Sequence, residues 1–542
     1  MWFATSLKNR IRGGIVMAFK KYVATCSLVF LAALLAACGS SAKDSPDAKD
    51  PGEVTSGGEL KIAYSAQPAN LDPAASSAMI TAEIMGHVFE TLLTTDSNYN
   101  IKPMLAESYE QSEDGKTITF KLREGILFHN GKEMVAEDVV ASMNKWKDGP
   151  GGRGQFAEAT FVADGDYTVN LNLPEPLSTA LAAIAQGGSS FSAIMPKGIV
   201  DKATADGVDE YMGTGPFKFV EWKQDQQIHL TKFDDYQALA EPADGLAGKK
   251  EALVDDLYFL FVSDPSIRIA GLQTGQYDFA YEIPLDNVAQ LESDANIETH
   301  IVSGVSSLML VPNKKKGLFT DVRAREAIAN ALDMDEILTT AYVNEKYYDL
   351  NHNLMLPRQE EQWYSDIGKD QYNQKDTEKA KKLLEEAGYA GKEITILTSR
   401  NYEHMYNAVL VIQEQLGKIG MKVKLDVLDW ATYLQQINNE DAHDMFVVWL
   451  SFKPEPSSLH ILAPSNSGWT DNEELNQLLD EFRSQPTLED AKPIYEKLMQ
   501  WNWEYIPGVK IGDYSRVDAT RNTVKNLQYL DRPLFWNVTN QQ

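Results

Sequence analysis

Between Lys116 and Leu122 apolar and polar positions alternate strictly, with Ile118, Phe120 and Leu122 on one face and Thr117, Thr119 and Lys121 on the other. The turn signal Asp114-Gly115 precedes them, so the pattern predicts a half-buried strand. Tyr167, Val169, Leu171 and Leu173 repeat it after Asp164-Gly165, and Pro174 ends it. Farther along the period becomes helical. Ala380, Leu383, Leu384 and Ala387 share one face, with Asp376 or Thr377 as cap and Gly388 as stop. Ile394 to Leu397 reads as a short apolar strand, and Val409, Ile412, Leu416 and Ile419 as a second helical stripe ended by Gly420. Met421, Val423, Leu425 and Val427 then alternate again. This helix–strand–helix–strand order predicts an α/β second half, whereas the first half is richer in strands. No internal repeat recurs at a fixed period.

The N-terminus follows a different pattern. Lys20 and Lys21 precede an apolar run from Tyr22 to Ala37, too short for an ordinary membrane span and laid out like a secretory signal. Met17 would give that signal an ordinary length, which makes residues 1–16 an upstream start. The run closes in Leu35-Ala36-Ala37-Cys38-Gly39, which resembles the lipobox of bacterial lipoproteins. On that resemblance Cys38 is acylated and becomes the first mature residue; plain cleavage or an uncleaved anchor are the alternatives. Cys26 and Cys38 are the two cysteines, so a mature domain has no disulfide. Residues 38–58 read as the lipidated cysteine and a flexible linker rich in Ser, Asp, Lys, Pro and Gly. No later segment is long and apolar enough to span a bilayer.

With 542 residues the chain can fold as two or more lobes. Its net charge of -28 argues against nucleic acid, which needs a basic face, and against a broad basic membrane-binding patch. Motifs of chemistry are scarce. The eight histidines form no HExxH or close His–Cys cluster. Asp441, His443 and Asp444 read as a solvated loop rather than a metal site. Gly187-Gly188-Ser189-Ser190 lacks the nucleophile elbow GxSxG. Gly149-Pro150-Gly151-Gly152-Arg153-Gly154 lacks the Gly-Lys-Ser/Thr of a phosphate loop and reads as a mobile surface turn. No catalytic residue, metal ligand or cofactor is called for.

Five blocks together resemble the oligopeptide/dipeptide/nickel-binding family of ABC-importer solute-binding proteins. Leu71-Asp72-Pro73 with Val88-Phe89-Glu90-Thr91-Leu92-Leu93 is similar to the family's opening block. Ala106-Glu107-Ser108 and the run from Asp114 to Gly125 are similar to its signature, which Phe128-His129-Asn130-Gly131 and Ala136-Glu137-Asp138-Val139 continue. Gly213 to Lys218 with Val220-Glu221-Trp222, Arg323 to Asp333, and Ala380 to Gly388 supply the others. The resemblance implies a two-lobed periplasmic-binding-protein-like α/β fold of type II, large peptide-binding class, with a subdomain inserted in the first lobe. It places lobe I at about 58–303 with the insert at about 99–212, lobe II at 304–504, and a C-terminal return to lobe I at 505–542. It also implies hinge closure around a solute, delivery to a membrane permease driven by ATPases, and a monomer that performs no covalent chemistry.

The same resemblance suggests contacts. Arg400 follows strand 394–397, where peptide-binding relatives place an arginine for the ligand carboxylate; a planar fork suits that role, and a surface-loop arginine is the alternative. Trp430 and Trp449 fall at matching positions. The third residue after Trp449, an ammonium-binding aspartate in peptide-binding relatives, is Phe452, whose face offers at most a cation–π contact. Glu455, between Pro454 and Pro456, is the nearest substitute acid. Trp449 and Phe452 have lobe-core packing as their alternative role. Met79 and Thr81 fall where the first lobe lines the cleft. The departure at Phe452 leaves open a blocked peptide, a glutathione-like compound, an opine or another carboxylated metabolite. A nickel or metal-chelate receptor of the same fold, a lipoprotein hydrolase and a signalling receptor are the rival readings.

Overall fold

The computed structural model describes residues 56–541. The signal, Cys38 and nearly all of the linker lie outside the described residues. An eleven-stranded mixed sheet organises the chain. Its strands are β1 (Glu59–Tyr64), β2 (Phe217–Lys223), β3 (Gln227–Lys232), β4 (Asp256–Phe261), β5 (Phe279–Ala280), β6 (Ile297–Pro312), β7 (Glu393–Ser399), β8 (Lys422–Leu428), β9 (Met445–Ser451) and β10 (Val509–Arg521). They are ordered β8-β7-β9-β6-β10-β5-β1-β4-β3-β2, and the short strand Tyr348–Asp349 pairs with β10 off this path. The neighbours β7/β8, β7/β9, β1/β5 and β1/β4 are parallel, each joined through intervening helices, as an α/β pattern requires.

Strands β6 and β10, of 16 and 13 residues, pair with each other along most of their length and carry the chain between the two halves of the sheet. Their register slips between Val302 and Ser306. Gly304 lies in that slip at φ +56°, a left-handed conformation that residues with a Cβ adopt only under strain. The bulge interrupts the ladder where the two halves meet.

The alternating segments form the strands they predict. Thr117–Leu122 buries Ile118, Phe120 and Leu122 and pairs antiparallel with Thr168–Asn172 in a separate four-stranded sheet. That sheet has its own core with Trp146, Phe156 and Phe161. The helical stripes are also present, at Thr377–Glu386 and Glu403–Lys418, and the Asp376 carboxylate accepts the Lys379 N–H at the first helix start. The architecture is mixed α/β, built on one large sheet.

Two loop readings are corrected. The glycine run is packed rather than loose: a Cβ on Gly151 would lie 2.3 Å from the Ser190 carbonyl oxygen and 2.4 Å from Trp146 Nε1. Glycine is needed there because two segments approach too closely for a side chain. His443 is buried instead of solvated, stacks on Trp469, and places Nε2 3.1 Å from the Ile437 carbonyl. Its neighbours are held too, since Asp444 accepts the Thr395 N–H and Asp441 pairs with Lys316.

Candidate functional site

Two backbone features open the site. Helix α1 (Met79–Met85) begins after an extended Ala78, which leaves Met79 at its entrance. From the other half of the sheet, β9 pairs with β6 so that Trp449 stands opposite Leu308, and the chain then turns at Phe452. Phe452 stacks on Tyr99, ring centroids 4.8 Å apart and planes 26° apart, which joins residues far apart in sequence.

Three adjoining cavities surround this stack, of about 670, 300 and 250 Å³. Phe452 lines all three, and Met79 lines the two larger. The largest lies between the segments at residues 150–155 and 186–190 on one side and 449–460 on the other. Near Thr179 of its lining, the two sides are bridged by hydrogen bonds. Ser178 donates from its N–H to the Arg483 carbonyl and from its hydroxyl to the Phe482 carbonyl, at 2.9 and 2.7 Å. These are carbonyls at the end of helix Glu473–Arg483, which the helix itself leaves unpaired. On the same side Gln111 donates to the Pro486 carbonyl at 2.8 Å.

Behind Trp449 stands an aromatic wall. Tyr402 meets Trp430 and Trp449 edge-on, each at 4.8 Å, and Trp430 stacks on Tyr433 at 5.0 Å. Tyr342 and Tyr514 stack at 5.0 Å, and His404 lies 5.0 Å from Trp449. Burial pushes the His404 imidazole down to about 4, so at neutral pH it faces the 300 Å³ cavity uncharged.

The floor of that cavity, beside the long strands, is charged and paired. Arg516 in β10 holds Asp518 through Nε and Nη2, both at 3.0 Å, and donates from Nη1 to the Tyr281 hydroxyl at 2.8 Å. The Tyr281 hydroxyl in turn donates to Glu83 Oε1 at 3.2 Å, and the Glu282 N–H donates to Asp518. Burial pushes the Glu83 carboxyl up to about 7, with the Arg516 charge pulling the other way. Arg358 donates to the Leu530 and Ser303 carbonyls, pinning the bulge between β6 and β10 to the C-terminal segment.

The residues singled out in the sequence separate here. Met79, Trp449 and Phe452 line the cavities. Trp430 is half-buried in the second row of the wall, against Trp449. Thr81 lines none of the three cavities, and its side chain is interior. It is 1% exposed, and its hydroxyl donates to the Asn70 carbonyl at 2.7 Å, because the first helical turn needs that loop fixed. Arg400 is exposed, donates to the Tyr406 hydroxyl at 2.7 Å and lies over its ring, apart from the three cavities. Glu455 turns its carboxylate into the backbone, accepting the Ser457 N–H at 2.6 Å. Sequence reasoning missed His404 and the Arg516–Asp518 pair. It also passed over Lys453 and Arg153 of the 670 Å³ cavity, although both stand inside runs it had picked out. Among the described residues no group of three or more His, Cys, Asp or Glu side chains could hold a metal ion, and no helix is long and apolar enough to cross a membrane.

Comparison with known proteins accords with this geometry. The family model described as bacterial extracellular solute-binding proteins, family 5 middle, matches residues 100–471. The chain belongs to this family. Among its relatives, the probable peptide ABC transporter periplasmic-binding protein y4tO of Sinorhizobium fredii is 29% identical over 86% of this chain and 91% of its own. The periplasmic binding protein DppA of Helicobacter pylori, solved with the peptide STSA, superposes with a TM-score of 0.72 at 26% identity, covering 90% of this chain and 99% of its own. AgaA of A. tumefaciens R10, solved with agropinic acid, gives 0.70 at 26% identity over the same shares. The family is one of solute-binding proteins.

Proposed function

We propose that this protein is the extracytoplasmic receptor of an ABC importer. It encloses a peptide or peptide-like solute between two lobes and hands it unaltered to a membrane permease driven by ATPases. In this reading the signal ends at Ala37, Cys38 carries the lipid that tethers the protein outside the membrane, and the receptor works as a monomer. Lobe I comprises residues 58–303 with an insert at about 99–212 and the return at 505–542; lobe II comprises 304–504. The strands β6 and β10 are the hinge, with Gly304 as its pivot. Met79, Trp449 and Phe452 are the contacts to the solute.

The observation that carries this reading is the set of cavities meeting at Phe452, between halves connected by two long strands with a bulge. The relatives named for peptide support the class of solute. A second reading, a carboxylated metabolite, is favoured by the likeness to AgaA with agropinic acid. Native mass spectrometry of the full chain purified from cells tests both. A retained peptide, released with its mass unchanged, is the expected result. A retained non-peptide acid selects the second reading. A peptide library cleaved on incubation, or left wholly unbound, overturns the receptor reading.

A further inference from the structure

In a chain with 78 acidic and 50 basic residues, the 670 Å³ cavity is lined by Lys453, Arg153 and His460 against a single acid, Glu455. That acid caps the turn Pro456–Ser458 through the Ser457 N–H, is 1% exposed, and forms an ion pair with neither cation. Among the described residues neither Lys453 nor Arg153 makes an ion pair. Arg153 donates from Nε to the Asp148 carbonyl at 3.2 Å, which leaves the outer fork of its guanidinium uncommitted. Lys453 is half-buried, directly after Phe452. Burial lowers its proton affinity, and the nearby Glu455 works against that effect.

The two cations reach this cavity from segments 300 residues apart, one beside the glycine run and one after β9. Arg153 is exposed at the cavity mouth, whereas Lys453 is half-buried, and a half-buried cation without an ion pair is costly to keep unless an anion meets it. In a cleft closed over its contents, the bonds such an anion forms are charge-assisted and shielded from bulk water. We propose that the 670 Å³ cavity reads a carboxylate of the solute, with Lys453 and Arg153 as the pair that holds it and Arg400 outside the site. The solute therefore carries a free acid group, as a peptide C-terminus or an acidic side chain does. This deepens the receptor reading above and rests on it.

The test is calorimetry on the full chain with peptides of two to five residues, each as the free acid and as the C-terminal amide. The free acids bind the wild type at least about tenfold more tightly than the amides. That preference disappears in Lys453→Met, returns in Lys453→Arg, and persists in Arg400→Ala. Equal binding of acid and amide by the wild type overturns the inference while leaving the receptor reading intact. So does a preference that survives Lys453→Met, or one lost instead in Arg400→Ala. If neither form of any peptide binds, the peptide reading itself fails. The inference is then judged on the solute released from protein purified from cells. An acidic solute no longer retained by Lys453→Met upholds it, and a neutral or cationic one overturns it.

Discussion

In the long strand β10, Arg516 meets Asp518 with two bonds of 3.0 Å and Tyr281 with a third. In the larger cavity Lys453 and Arg153 meet no acid among the described residues. Both regions are concave, both adjoin Phe452, and both set cations beside aromatic rings. Their difference lies in what is already satisfied. A cation held by a buried carboxylate fixes its own neighbours, and adding a solute improves little. A cation left without a partner is a place where a solute can contribute free energy. The pairing thus separates residues that maintain the cleft from residues that read its contents.

The largest effect that tests this contrast is expected from Arg516→Met. Asp518 is fully buried, and the substitution leaves its charge uncompensated, at a cost of about 3–5 kcal/mol. The urea midpoint should fall steeply, and Arg516→Met with Asp518→Asn should recover most of the loss. A single variant as stable as the wild type would mean that the Arg516–Asp518 pair is no more structural than Lys453.

A smaller effect is expected at Glu83, the acid beside this pair that no cation bonds directly. Its carboxyl titrates near 7 in the fold against 4.5 when unfolded, because burial favours the neutral form. Between those values the folded chain holds a proton that the unfolded chain has released, so stability falls as pH rises from about 4.5 to 7. Glu83→Gln removes this dependence. The variant should exceed the wild type at pH 8 by on the order of 1–3 kcal/mol, with the difference closing below pH 4.5. Denaturation curves taken at intervals from pH 4 to 8 check the sign as well as the size. A variant less stable than the wild type at pH 8, with the deficit closing toward acid pH, would mean that Glu83 is ionised in the fold and belongs to the paired set.

Much of the fold is legible in local pattern. The strand at 117–122 needs only period-two alternation, and the helices at 377–386 and 403–418 need only a stripe and a stop. The cleft is less legible, because it is made by contacts across long sequence separations. Tyr99 reaches Phe452, and Ser178 reaches Arg483, without any mark in their own segments. Arg400 was picked out by its position after a strand, but position alone does not say which way a side chain leaves the chain. Tyr406, in the first turn of the next helix, provides it with a nearer partner. The glycine run was set aside because it binds no phosphate, although its glycines mark the close approach to Ser190 that brings Arg153 to the cavity. Lys453 was overlooked for a related reason: the search at Phe452 was for a missing acid, and the adjacent cation answers a different part of the solute.

The smallest expected effect is also the one that most sharpens the contrast. Lys453→Met in solute-free protein removes a cation that no acid in the described structure satisfies, and keeps a stem of similar length against the cavity wall. Burial disfavours the charged amine in the fold, so at neutral pH its charge opposes folding slightly, and that penalty fades only as pH rises toward 10.5. The variant should therefore unfold within about 0.5 kcal/mol of the wild type, on the stable side if at all, as measured by urea denaturation at pH 7. Set beside Arg516→Met, this is a comparison of two cations lining adjoining cavities, one whose loss damages the fold and one whose loss leaves it unharmed. A destabilisation of several kcal/mol at Lys453 would show that the ammonium already has a partner in the folded chain. It would then no longer be available to a solute, and the division between maintaining and reading the cleft would have to be drawn elsewhere.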